Sequence, residues 1–278
     1  IESAGATLGV EDTDELLQRN EIKYLSEMMN FPGVLNENNE VAAKLAAARK
    51  YNKPVDGHAP GLTSEDLKKY IHAGIATDHE CFTIEEALEK IKYGMKIQIR
   101  EGSAAKNFDA LIPLIKLHPD KIMLCSDDKH PDDLVEGHIN LLVKRAIHLG
   151  YDPIKVVKAS TYNPVNHYKL EVGLLQVGDP ADLSIVDNLN DFSIMATYIN
   201  GELVAKKGKS FLKPVFITTP NKFCADLIQA KDLEVKVRGN FMKVIRALEG
   251  QLITKKVIVK VNPENGLIQN DPENDILK

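Results

Sequence analysis

Four side chains in the first half of the sequence have the types that hold a metal or move a proton, and each closes a short apolar run. They are Glu27 in Ser26-Glu27-Met28-Met29-Asn30, His58 in Asp56-Gly57-His58-Ala59-Pro60-Gly61, His79 in Asp78-His79-Glu80, and Asp127 in Cys125-Ser126-Asp127-Asp128. Imidazole nitrogens and carboxylate oxygens together are the ligand set of zinc, manganese and iron. Each residue alone has a plainer explanation. A single histidine at a strand end is usually a hydrogen-bonded or capping residue, Glu27 could be half of a buried ion pair, and Asp127 could cap a helix. Arg100-Glu101 could be an ordinary salt bridge. Four such residues at the ends of four strands in a run of five make the plain reading the weaker one.

The elements that must position them follow from the hydrophobic pattern. Strands are expected at residues 24–29, 54–59, 75–81, 95–101 and 121–127, and helices at 40–50, 64–73, 84–93, 105–117 and 132–149. Oxygen caps and first-turn acids at Thr63-Ser64-Glu65-Asp66 and Thr83-Ile84-Glu85-Glu86 mark helix starts. Strands alternating with helices imply a parallel sheet covered by helices. The ligand candidates are spaced by 31, 21 and 48 residues. That is one, one and two strand-plus-helix units, with Arg100-Glu101-Gly102 closing the strand in between. In a parallel barrel these strand ends share one mouth, where active sites are built.

Further along, helices are expected at 153–160 and 164–170. Strands follow at 181–187, 195–199 and 202–207, the last two joined by a tight Asn200-Gly201 turn. Beyond Pro214 the alternation at 233–238 and 253–261 suggests β-ribbon. Lys213-Pro214 and Thr219-Pro220-Asn221 are the candidate boundaries.

Composition excludes several classes. With 44% hydrophobic and 27% charged residues the chain can bury a core. No apolar run of about 18 residues spans a membrane, and no secretory signal opens the sequence. A formal charge of −5, spread along the chain, argues against nucleic acid as the main partner. Cys81, Cys125 and Cys224 are distant from one another and lack C-x-x-C spacing, so a thiolate zinc site is not expected and a cytoplasmic location is. No glycine-rich phosphate loop follows any strand, nor does the H-x-E and P-C-x-x-C signature of cytidine-type deaminases occur. The sequence opens on Ile1-Glu2-Ser3 and stops at Asp275-Ile276-Leu277-Lys278 as an apolar run begins, so a chain cut at both ends is expected.

The order carboxylate, His, His, Asp at these strand ends resembles the amidohydrolase superfamily. Within it, four strings are similar to those of the adenine deaminases: Glu27-Met28-Met29-Asn30-Phe31-Pro32-Gly33-Val34, Asp56-Gly57-His58-Ala59-Pro60-Gly61, Ile99-Arg100-Glu101-Gly102-Ser103-Ala104-Ala105, and Cys125-Ser126-Asp127-Asp128. Gly173-Leu174-Leu175 with Gly178-Asp179-Pro180-Ala181-Asp182-Leu183 resembles the return from barrel to small β-domain. Glu249-Gly250-Gln251 and Asn265-Gly266 resemble the start of a further C-terminal domain.

The resemblance implies an α/β fold: residues 1–170 as the C-terminal portion of a (β/α)8 barrel (strands about 4–8), 171–215 as a segment of a small β-sandwich, and 216–278 as the start of an α+β domain. It implies a divalent, binuclear metal centre of manganese, iron or zinc. Glu27 would bridge two ions, His58 and His79 would bind the second, and Asp127 would touch the metal and take a proton from the attacking water. Glu80, with Asp128 next, would protonate the ring nitrogen and the leaving ammonia, while Arg100, Glu101 and Ser103 would grip the purine. The implied reaction is hydrolytic deamination of adenine to hypoxanthine and ammonia, with adenine as the small-molecule partner of a homo-oligomer that has no nucleic-acid or membrane partners. One departure stands out: none of the eight histidines has another two positions away. The family's His-x-His pair therefore has no counterpart here, and two metal ligands and three strands are expected to be missing. Two other readings share much of the pattern: an amidohydrolase acting on a cyclic amide or another aminated ring, and a metal-free scaffold subunit.

Overall fold

The computed structural model describes residues 6–218, 224–250 and 254–277. The opening Ile1-Glu2-Ser3, the Thr219-Pro220-Asn221 boundary, Gln251, Ile253 and Lys278 lie outside the described residues. The chain divides into two compact units, residues 1–212 and 213–278.

The first unit alternates strand and helix: α1 (Val10–Gln18), β1 (Leu25–Met28), α2 (Phe31–Leu35), α3 (Asn39–Lys50), β2 (Val55–Gly57), α4 (Ser64–His72), β3 (Thr77–Asp78), α5 (Ile84–Lys92), β4 (Lys96–Arg100), α6 (Phe108–Leu111), α7 (Leu114–Leu117), β5 (Ile122–Cys125), α8 (Pro131–Glu136), α9 (Ile139–His148), α10 (Pro153–Ser160) and α11 (Tyr162–Tyr168). β1 pairs parallel with β2. A parallel bridge from Val55 to Ile75 carries the arc on to β3, and β3, β4 and β5 continue it in parallel. Five strands in sequence order, covered by helices, form part of a (β/α) barrel.

Side-chain caps set several helix starts. The Asn38 carboxamide oxygen accepts from the N–H groups of Glu40 and Val41, at 3.0 and 3.2 Å. Thr83 accepts from Glu86 at the start of α5, and Asp152 accepts from Ile154 and Lys155 ahead of α10. Each cap satisfies donors that the first helical turn leaves free.

Two expected helices are broken. Residues 105–117 form α6 and α7, because Pro113 has no N–H to continue the ladder. Residues 132–149 form α8 and α9, separated at Gly137, whose φ of 153° no helix contains. The helix expected at 164–170 starts earlier, as α11, and α1 fills a segment to which the sequence pattern assigned no element.

The apolar faces meet in two clusters. One joins Leu17, Val41, Leu45, Val55 and Leu67 under β1 and β2. The other joins Ile97, Ile99, Phe108, Ile122, Leu142 and Val156 around β4 and β5. Gly57 is required where the arc is tightest: a Cβ there would lie 2.2 Å from the Thr77 carbonyl oxygen.

The unit closes with an antiparallel sheet of β6 (Leu183–Val186), β7 (Ile194–Ile199), β8 (Glu202–Lys206) and β9 (Lys209–Ser210). Asn200 and Gly201, at φ 49° and 80°, make the β7–β8 turn in the left-handed conformation such hairpins need. In the second unit β10 (Phe241–Arg246) pairs antiparallel with β11 (Lys255–Lys260), and β12 (Pro263–Glu264) with β13 (Leu267–Ile268). The strand expected at 233–238 is instead a 3-10 turn, Ala230–Leu233, followed by a single bridge from Lys236 to Leu267. The alternation of Met242 and Val244 against Val259 and Val257 supplies the ribbon's inner face. Among the described residues no helix is long and apolar enough to cross a membrane.

One buried ion pair ties this framework together at the strand ends. Lys90 of α5 is fully buried and donates to Asp78 at 3.0 Å, to Glu86 at 2.7 Å and to the Ala59 carbonyl at 2.7 Å. Asp78, also fully buried, accepts from the N–H of Ala59 at 2.8 Å and of Glu80 at 3.1 Å. Burial opposes charge on both groups, yet the pairing wins: Asp78 is held below the usual carboxylate range and Lys90 above the usual ammonium one. Removing one member strands the other's charge, at about 3–5 kcal/mol. Lys90→Met is therefore expected to lower unfolding free energy by that amount in urea titrations. Asp78→Asn combined with Lys90→Met is expected to cost less than the sum of the two single variants.

Candidate active site

The short strands β1, β2 and β3 deliver three side chains to one point. Glu27 lies within β1, and His58 and His79 each follow directly on β2 and β3. His58 Nδ1 is 2.9 Å from Glu27 Oε2 and 3.2 Å from Glu80 Oε1. His79 Nε2 is 3.1 Å from Glu27 Oε2 and 3.3 Å from Glu80 Oε1. Neither approach to His79 has hydrogen-bond geometry, so His79 Nε2 and Glu80 Oε1 are buried without a hydrogen-bond partner.

That pattern fits a metal. The ligand atoms of Glu27, His58 and His79 lie within 4.8 Å of one another, and so do those of His79, Glu80 and Asp127. Lone pairs of nitrogen and oxygen converging at this range form a donor set for a borderline divalent cation. The imidazole of His58, then that of His79, holds the Glu27 carboxyl well below the usual carboxylate range. Burial would depress His79, but the carboxylates of Glu27 and Glu80 outweigh it and push the imidazole up to about 10. A cation at the same point would compete with that proton, because a ligating imidazole must be neutral.

Arg100, the last residue of β4, lies underneath and is 1% exposed. Its guanidinium grips Glu80 through two nitrogens, Nη1 to Oε1 at 2.6 Å and Nη2 to Oε2 at 2.9 Å, and Nη1 also pairs with Asp127. Burial raises Glu80, but His79 and Arg100 outweigh burial and hold it ionised. Asp127 sits two residues past β5 at φ 54°, a left-handed conformation that aspartate tolerates better than most residues.

The structure thus brings together Glu27, His58, His79, Glu80, Arg100 and Asp127. Arg100 was expected to grip a substrate; its charge is instead committed to two acids. Glu101, Ser103 and Asp128 lie apart from this group, on the loops after β4 and β5. Glu101 pairs with Arg145 at 3.1 Å. The Ser103 hydroxyl donates to Asp133 and accepts from the His130 N–H at 2.8 Å, while the Ser103 N–H donates to the Asp128 carbonyl at 2.9 Å. Asp128 is exposed.

Sequence reasoning missed two polar residues that hold the site. Tyr70 of α4 is fully buried; its hydroxyl donates to the Met28 carbonyl at 2.8 Å and accepts from the His58 N–H at 3.0 Å. Beside Leu67 on an amphipathic helix, a tyrosine looks like ordinary core. Asn107 stands where a helix cap belongs, yet its side chain makes no cap bond.

A larger concavity of about 700 Å³ lies elsewhere in the unit, between α9–α11 and the sheet of β6–β8. Asp182 is the single carboxylate in its lining, and that carboxylate is taken by the N–H groups of Gly173 and Asn200. No histidine, cysteine or second carboxylate lines it.

Comparison with known proteins agrees with this geometry. The amidohydrolase family model matches residues 9–204. The chain is 48% identical over 278 residues to an adenine deaminase of Salinibacter ruber, covering 100% of this chain and 51% of that protein. It is 51% identical over 262 residues to one of Sulfurovum sp., covering 94% and 49%. The chain spans about half the length of the curated relatives it matches. Among solved structures it is similar to an N-acetyl-D-glucosamine-6-phosphate deacetylase of Mycobacterium smegmatis, with TM-score 0.55, 14% identity, and coverage of 70% of this chain and 59% of that one. It is also similar to a β-aspartyl dipeptidase of Fervidobacterium islandicum, with TM-score 0.51, 21% identity, and coverage of 66% and 54%. These two likenesses concern the fold.

Tyr70→Phe leaves the Met28 carbonyl and the His58 N–H without their buried partner. A loss of about 1–3 kcal/mol is expected, measured by chemical denaturation beside a Tyr93→Phe control at the partly exposed end of α5.

Proposed function

The chain belongs to the amidohydrolase family, and from that premise we propose that the whole protein hydrolyses adenine to hypoxanthine and ammonia. The observation that carries the proposal is the convergence of Glu27, His58, His79 and Glu80, where His79 Nε2 and Glu80 Oε1 are buried without a hydrogen-bond partner. The identity of about half to relatives named adenine deaminase, over the whole chain or nearly so, supports the substrate. Buried donors of this kind argue against a metal-free scaffold, which would be more stable with them replaced or paired.

The family is generally metal-dependent. In our reading Glu27, His58, His79 and Asp127 hold a binuclear divalent centre of manganese, iron or zinc, together with ligands from outside this chain's described residues. When bound, such a centre supplies the Lewis acidity that makes water a nucleophile at neutral pH. The chain's own residues do the rest. Asp127 accepts a proton from the attacking water as its oxygen bonds to C6 of the purine. Glu80, shielded from solvent, carries the water's second proton to the ring nitrogen, where hypoxanthine keeps it, and Asp127 passes the first to the amine, which departs as ammonia. Arg100 keeps Glu80 and Asp127 in place and offsets their charge, so it acts as a positioning residue. Ser103, Glu101 and Asp128, on the two loops beyond, shape the substrate pocket. The balance is one water consumed, one C–O bond formed, one C–N bond broken and one ammonia released.

We further infer that residues 171–215 belong to a small β-domain and 216–278 to a C-terminal domain of the same protein. A homo-oligomer in the cytoplasm, with adenine as its small-molecule partner, completes the reading. Three cysteines without a disulfide fit a reducing compartment.

The intact protein, loaded with Mn²⁺, is expected to release ammonia from adenine and to lose that activity on chelation. Asp127→Asn and Glu80→Gln are each expected to lower kcat by about 10²–10⁴-fold. Glu27→Gln is expected to lose metal as well as rate, measured by elemental analysis. An intact protein that binds no transition metal, or a Glu27→Gln variant with full rate and metal content, would sink the assignment.

A further inference from the structure

Asn107 is 4% exposed and makes three hydrogen bonds, all to backbone groups of the site. Its carboxamide oxygen accepts from the Arg100 N–H at 2.8 Å. Its nitrogen donates to the His79 carbonyl at 2.9 Å and to the Cys81 carbonyl at 3.1 Å. Those two carbonyls bracket Glu80. One planar amide therefore fixes the backbone on both sides of Glu80 and ties it to the strand end that carries Arg100.

From this geometry we infer that Asn107 is a positioning residue for the His79–Glu80–Arg100 group, setting the direction of His79 and Glu80 toward the proposed metal centre. The inference rests on the metal-dependent reading above. Only asparagine and glutamine carry this set, two donors on nitrogen and an acceptor on oxygen in one rigid plane, and glutamine's extra methylene would displace it. Aspartate keeps the acceptor but turns an oxygen toward two carbonyl oxygens. The segment between residues 79 and 81 would then have to move, and it carries a ligand candidate and an acid together. Groups that orient metal ligands from behind typically change metal affinity by about 10–100-fold when altered.

The structure supplies its own control. Asn163 of α11 is equally buried, at 4% exposure, and its nitrogen also donates to two carbonyls, those of Pro119 and Ile122, each at 2.7 Å. Those groups lie at the start of β5, the opposite end of the strand from Asp127. Asn107→Asp and Asn163→Asp pose the same chemical insult at the two ends of the barrel.

The test titrates the metal-free intact protein with Mn²⁺ alone and records melting temperature, the Mn²⁺ dissociation constant, and kcat and KM for adenine. Both variants are expected to melt at lower temperature. Asn107→Asp is expected to raise the Mn²⁺ dissociation constant by about 10–100-fold and to lower kcat at saturating Mn²⁺, with KM little changed. Asn163→Asp is expected to leave the dissociation constant within about twofold of wild type, the size of effect a remote site shows. Asn107→Ser, which keeps one donor in less volume, is expected to fall between wild type and Asn107→Asp and serves if the aspartate variant does not fold. Equal dissociation constants for the position-107 and position-163 variants would overturn the inference while leaving the metal site standing. A wild type that binds no Mn²⁺ would overturn the metal-dependent reading, and this inference with it.

Discussion

Everything at the strand ends is governed by the cost of gathering negative charge away from water. Oxygens of Glu80 and Asp127 lie within 4.8 Å of each other and of His79 Nε2. Two like charges at that range repel by about 3 kcal/mol even at an effective dielectric of about 20. Glu80 is almost wholly buried, so solvent does little to screen it. Arg100 makes the arrangement tenable. A guanidinium is always charged and presents several donors in one plane. From a single buried position it donates to one oxygen of Glu80, pairs electrostatically with the other and still reaches Asp127. On the other side the imidazoles of His58 and His79 stand between Glu27 and Glu80. Carboxylates alternate with the guanidinium and the imidazoles across the site.

That alternation requires loops held firmly in place, and strands of two to five residues cannot do this alone. The positions come from polar residues set behind the reactive ones. Asp78 and Lys90 join the loop after β2 to the loop after β3 through the Ala59 carbonyl and N–H. Tyr70 joins the end of β1 to the loop after β2, and Asn107 joins the loop after β3 to the end of β4. Each neighbouring pair of strands among the first four has its own buried tie. Each tie acts on backbone groups, so side chains at the reactive positions stay available.

This division explains what could be read from the sequence. Glu27, His58, His79 and Asp127 were legible because metal-capable side chains at intervals of one strand-plus-helix unit stand out against apolar strands. The parallel order of the strands was legible for the same reason. Tyr70 was not, since a buried tyrosine on an amphipathic helix looks the same whether its hydroxyl is idle or bridging two strands. Asn107 was not, because a polar residue at a helix start reads as a cap. Lys90 at the end of α5 reads as a favourable partner for the helix terminus, and nothing local says that it is fully buried. Arg100 was legible as important, but its partners depend on strands brought together only by the fold. Helix breaks at Pro113 and Gly137 were visible residues whose effect the apolar periodicity masked.

The same logic separates the chemistry from the choice of substrate. The acid–base and ligand set sits on strand ends whose backbone is tied from behind, where a change of residue would disturb charge balance across the whole site. Apart from Asn107 and Asp127, the loops after β4 and β5 are bound to each other: Ser103 to Asp133, His130 and Asp128, and Gly102 packed so closely that a Cβ would lie 2.8 Å from the Asp128 carbonyl oxygen. They form a joined rim whose contacts do not involve Glu80. A hydrolytic centre with fixed acids and a separately braced rim can accept different rings or amides by alterations to the rim alone. On the adenine-hydrolysing reading, discrimination for a purine is to be sought in residues 101–105 and 128–138, and the proposed chemistry in Glu27, His58, His79, Glu80, Arg100 and Asp127.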